Sequence, residues 1–102
     1  MASEPAFHTT GGRRIERRFW AADVQFRSGT RRANVKVRDI SELGARIEGV
    51  FLVREGDSFF IKLPAMESIE ARVVWVADFE FGCEFLRPLN PVILEAMVAN
   101  QR

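Results

Sequence analysis

Arg13-Arg14-Ile15-Glu16-Arg17-Arg18 holds four arginines and no lysine. Arg13 and Arg17 stand four apart, and Arg14 and Arg18 repeat the spacing. A guanidinium is a planar fork that gives two parallel hydrogen bonds to phosphate oxygens. The same fork matches the O6 and N7 acceptors of guanine, worth roughly 1–3 kcal/mol of base discrimination. Its plane also stacks on a base. Lysine offers a point charge and lacks the bidentate match. An all-arginine cluster therefore points to shaped recognition, and it suits a ligand that offers phosphate or guanine acceptors. The surrounding charge agrees. Residues 13–38 carry nine Arg and Lys against two acids, a local +7 in a chain of net +1, which leaves −6 for the rest. A solvated basic face is the plain alternative for charge alone.

The second constellation is Asp39-Ile40-Ser41-Glu42-Leu43-Gly44. The Asp39 carboxylate can accept from a guanine N–H edge or hold an arginine in place. The Ser41 hydroxyl can donate to phosphate or cap the turn. Gly44 allows a backbone conformation or a close approach that a Cβ would block. Taken singly these are also ordinary turn residues.

The elements that must position these groups are short and alternate with period two. Val24 and Phe26 precede a Ser28-Gly29-Thr30 turn. Ala33, Val35 and Val37 alternate with polar neighbours. Ala45 to Glu48 is a short strand after the Ser41–Gly44 turn. Phe59, Ile61 and Leu63 follow the Glu55-Gly56-Asp57 turn. Ile69, Ala71, Val73, Trp75 and Ala77 form the longest alternating set, and Phe81, Cys83 and Phe85 the last. Strands this short with no helix between them predict an antiparallel barrel or sandwich. Asn90 and Pro91 suit an N-cap and first helical turn, so Val92–Ala99 reads as a helix with Val92, Ile93, Ala96 and Met97 toward the barrel. Residues 1–12 show no apolar period and read as a disordered tail, with residues 13–102 as the domain. The arginines lie before the first strand, in an arm expected to be irregular without a ligand.

In combination the two motifs resemble the PilZ family. R-x-x-x-R stands before the first strand, and Asp-x-Ser-x-x-Gly follows about twenty residues later. The flanks are similar too: Gly56-Asp57 before a strand ending at Pro64, Arg72-Val73-Val74-Trp75, Gly82-Cys83-Glu84-Phe85 and a C-terminal helix. The resemblance implies a six-stranded antiparallel β-barrel with a short C-terminal helix and a flexible N-terminal arm. It implies a receptor for the bacterial second messenger cyclic di-GMP, with the arginines embracing the ligand and the second motif contacting a guanine. Carried over, that makes Arg13, Arg14, Arg17, Arg18, Asp39, Ser41 and Gly44 the ligand-binding residues. Paired arginines before the spacer favour Arg14 and Arg18 as the R-x-x-x-R pair. Counting back from Val24 favours Arg13 and Arg17. The family also implies a protein partner in motility, biofilm or polysaccharide control.

Other residues bound the reading. His8 is a lone tail histidine, and Cys83 falls in an apolar set, so no catalytic pairing is visible. No ligand spacing suggests a metal, and no cofactor is called for. An enzyme is therefore not expected. Trp75 reads as core or barrel-end packing. Phe19 and Trp20 read as anchors of the arm or as neighbours of the ligand, anchoring being the commoner role of an apolar residue. Arg46 reads as an exposed strand arginine that could add a phosphate contact. A single cysteine fits a reducing cytoplasm. No run approaches the roughly 20 apolar residues of a membrane span, so no membrane insertion is expected. Two alternatives stand beside the receptor: a ligand-independent interaction module, and a small nucleic-acid-binding barrel. The acidic remainder and the inward aromatics count against nucleic acid.

Overall fold

The computed structural model describes residues 17–49, 53–64 and 66–100. Six strands follow in order: β1 (Arg18–Ser28), β2 (Arg31–Ile40), β3 (Gly44–Glu48), β4 (Ser58–Lys62), β5 (Ser68–Val76) and β6 (Glu80–Phe85). One helix, α1 (Pro91–Ala99), ends the described chain. All pairings are antiparallel, and the sheet closes as a barrel in the order β1-β2-β3-β6-β5-β4. Closure removes the exposed sheet edges that would otherwise invite pairing with other chains.

The period-two residues fill the barrel as expected. Val24, Phe26, Val35, Val37, Ile47, Phe59, Ile61, Ala71, Val73, Phe81, Cys83 and Phe85 are buried. Three phenyl rings from β1, β4 and β6 knit the interior. Phe26 stacks on Phe59 at 5.0 Å, and Phe81 meets both edge-on at 6.4 and 5.6 Å. Such pairs add about 0.5–1.5 kcal/mol beyond their burial. Gly29 takes φ 63° in the tight turn joining β1 and β2. Among the described residues every buried side-chain polar atom has a partner.

Cys83 sits wholly inside, and burial pushes its thiol from 9.0 up to about 12. The native thiol is therefore protonated and shielded, and a disulfide-exchange reagent at pH 8 is expected to label it only after denaturant is added. The folded protein holds this proton more tightly than the unfolded chain. Its contribution to stability is complete below pH 9 and is lost as pH rises from there toward 12.

Three expectations need correction. The first strand begins at Arg18, so the end of the arginine cluster is already strand rather than irregular arm. Helix α1 starts where expected, with the Asn90 side chain accepting from the Val92 and Ile93 amides. Of the four residues expected to face the barrel only Met97 is buried, joined by Leu94; Ala96 is exposed, as are Val92 at 75% and Ile93 at 39%. Third, the register between β5 and β6 shifts between Val73 and Trp75. The extra residue turns Trp75 out of the interior, where its half-buried indole covers Gly82. Trp20, by contrast, is buried and donates from Nε1 to the Met97 carbonyl at 3.2 Å. Trp20→Ala is accordingly expected to cost about 3–5 kcal/mol, and Trp75→Ala about 1–2 kcal/mol. Urea midpoints of the two variants read the difference directly.

Candidate ligand-binding site

Strict alternation along β2 would place Asp39 inside, two residues after Val37. A one-residue bulge prevents this. The β2–β3 register shifts between Val37 and Asp39, so Ile40 takes the interior position and Asp39 faces outward. Bulges often re-aim a side chain at a functional surface. A matching shift in β1 lies between Phe19 and Ala22. The outcome is one cross-strand row on the outer wall. Phe19 pairs with Asp39, Asp39 with Arg46, Arg46 with Gly82, and Gly82 with Trp75.

Asp39 is only 4% exposed although it lies on the wall, because arginines cover it. Arg46 Nε donates to Oδ2 at 2.9 Å, and Arg17 Nη2 approaches both carboxylate oxygens at 3.3 and 3.4 Å. Arg46 also reaches Glu80 through Nη1 at 3.4 Å. Two guanidinium groups thus converge on one carboxylate, with N–H donors in excess of what its oxygens accept. Arg17, Arg18, Phe19, Asp39 and Arg46 line an open concavity of about 360 Å³. Arg46 is shared with a second hollow of about 370 Å³ that includes Arg38, Glu48, Phe79 and Glu80.

Arg18 takes a different course. Its Nη1 and Nη2 donate to Glu95 Oε1 and Oε2 of α1 at 2.7 and 3.1 Å. These hydrogen bonds, and then the guanidinium charge, hold the exposed Glu95 carboxyl below the usual carboxylate range. The associated stability is present above the unfolded pKa and is lost as pH falls.

Ser41 is fully buried, and its hydroxyl accepts from the Leu43 and Gly44 amides at 3.1 and 3.3 Å. It closes the turn that carries β2 into β3. Gly44 lies tight against the backbone of β6. A Cβ there would stand 2.0 Å from the Cys83 carbonyl oxygen. Arg13, Arg14 and His8 lie outside the described residues. The chain matches the PilZ domain family model over residues 12–99.

The chain belongs to the PilZ domain family.

PilZ domains are cyclic di-GMP-binding adaptor modules rather than enzymes. No curated protein matches the chain. The closed six-stranded barrel with its C-terminal helix agrees with the membership. Among the described residues no group of His, Cys, Asp or Glu is placed to hold a metal ion. No described helix is long and apolar enough to cross a membrane.

Within this PilZ domain the two motifs meet in space through Arg17 and Asp39, 22 positions apart in the chain. Three residues gain their place at the site only through the fold. Arg46 reads as an ordinary strand arginine until the bulge sets it beside Asp39. The two roles open to Phe19 and Trp20 divide between them: Phe19 is 82% exposed and lines the concavity, while Trp20 is buried against the barrel as the anchor. Glu95 carries one signal in the sequence, as the single charge in an otherwise apolar helix.

Proposed function

We propose that this PilZ domain is a cyclic di-GMP receptor whose ligand lies on the outer wall over Arg17, Asp39 and Arg46. The observation that carries the reading is the convergence of Arg17 and Arg46 on the Asp39 carboxylate at the floor of a solvent-open concavity. Arginine forks there can take phosphate oxygens and the guanine O6/N7 edge. The Asp39 carboxylate aims the forks or accepts from a guanine N–H. Ser41 and Gly44 act indirectly, holding the turn and the strand spacing that present Asp39.

The same contact favours Arg13 and Arg17 as the working R-x-x-x-R pair, since Arg17 reaches Asp39 while Arg18 is bonded to Glu95. Binding then changes the surface offered to a partner protein, in motility, biofilm or polysaccharide control as the family suggests. Calorimetric titration with cyclic di-GMP, GTP and cyclic di-AMP tests this. Preferential binding of the first supports guanine reading, and no heat at high micromolar cyclic di-GMP rules the receptor out.

A second reading is a ligand-independent interaction module. It is favoured by the fact that Asp39 already has two arginine partners, as a purely structural cluster would. That module keeps its partner when Arg17 is removed, whereas the receptor loses its ligand.

A further inference from the structure

The guanidinium of Arg18 lines the ligand concavity, yet its terminal edge is committed elsewhere. Both Nη atoms donate to the two oxygens of Glu95, a fork-to-fork pair. That end-on edge is one of the two a phosphate can use for bidentate binding, and one edge cannot serve two bidentate acceptors. Glu95 stands 77 positions away, in the middle of α1. It is the only charged residue of that helix.

Helix α1 is held to the barrel sparingly. Leu94 and Met97 are buried, Trp20 Nε1 donates to the Met97 carbonyl, and Glu95 grips Arg18. Val98 packs partly against the core, while Val92 is exposed and so to a lesser degree is Ile93. The single polar side-chain tie from the helix therefore ends on a residue of the ligand site.

We infer that Glu95 is an autoinhibitory ligand mimic: its carboxylate occupies a phosphate-binding edge of Arg18, and bound nucleotide displaces it and loosens α1 from β1. The inference rests on the receptor reading above. The exchange is one acidic acceptor for another on the same guanidinium, so no charge is stranded. By linkage, the factor by which Glu95 weakens the nucleotide equals the factor by which the nucleotide weakens α1 docking. An exposed ion pair makes that factor modest, about two- to five-fold.

The test titrates cyclic di-GMP into the full chain and into the variants Glu95→Gln and Arg18→Ala, with hydrogen exchange of the Leu94–Ala99 amides followed in each. In the wild type, ligand is expected to speed α1 exchange. Glu95→Gln is expected to bind about two- to five-fold tighter, with fast α1 exchange already present without ligand. Arg18→Ala is expected to show the same fast exchange and weaker binding. Equal affinity of the wild type and Glu95→Gln, with α1 exchange indifferent to ligand, overturns the inference while leaving the receptor intact. Absence of binding by every form, the wild type included, overturns the receptor reading itself.

Discussion

Gly44→Ala is expected to lower the melting temperature by about 12 °C or more, corresponding to at least about 3 kcal/mol. An added Cβ would lie 2.0 Å from the Cys83 carbonyl oxygen and 3.1 Å from its carbon. Both obstacles are backbone atoms of β6, so no side-chain rotation relieves the overlap. The β3 and β6 strands must part along the register that pairs Gly44 with Glu84 and Ala45 with Cys83. The turn suffers with them, since the Gly44 amide donates to Ser41 Oγ and its carbonyl accepts from the Ser41 amide at 2.8 Å. Gly82→Ala is the control. The atoms nearest its Cβ would be those of the Trp75 indole, with Nε1 at 2.1 Å, and an indole on the outer wall can swing aside. Thermal melts of the two variants should rank them clearly, and a loss below about 5 °C for Gly44→Ala would show the β3–β6 approach to be soft. The comparison bears on function as well. A Gly44 variant that fails to bind ligand has lost the scaffold before it has lost a contact, so the motif glycine is not itself evidence of ligand contact.

The barrel was legible because period-two alternation depends only on which residues are apolar, and Val35, Val37, Phe59, Ile61, Phe81 and Cys83 alternate cleanly. The facing of the site was not legible, because it depends on bulges. Nothing in Val37-Arg38-Asp39-Ile40 announces that the alternation slips by one, yet that slip decides whether Asp39 is a buried oddity or the floor of a binding surface. The same defect in β5 sent Trp75 outward against its pattern. The helix misled for a related reason. PVILEAMVA is apolar on nearly every side, so its period cannot select a face; docking against Trp20 buried Met97 as expected but chose Leu94 over Val92 and Ile93. Arg17 and Arg18 are chemically identical neighbours. Only tertiary placement separates them, one beside Asp39 and the other beside Glu95.

That separation leads to the largest expected effect on binding. Replacing Arg13 and Arg17 together with Ala is expected to weaken cyclic di-GMP at least 100-fold, while the melting temperature moves by less than about 3 °C. Each lost fork removes a charge-assisted contact worth about 1.5–3 kcal/mol, and two such losses exceed the roughly 2.7 kcal/mol that corresponds to 100-fold. Stability is spared because Asp39 keeps the shorter Arg46 bond, at 2.9 Å against 3.3 Å for Arg17. The carboxylate is therefore not stranded, which is the condition that makes removal of one member of an ion pair costly. Replacing Arg14 and Arg18 together gives the contrast. It removes one peripheral phosphate contact and also the Glu95 tie, so binding falls less and α1 loosens. If the Arg14/Arg18 double variant instead loses more affinity than the Arg13/Arg17 double variant, the contact between Arg17 and Asp39 belongs to the framework of the barrel, and the nucleotide must be gripped from the side of the helix.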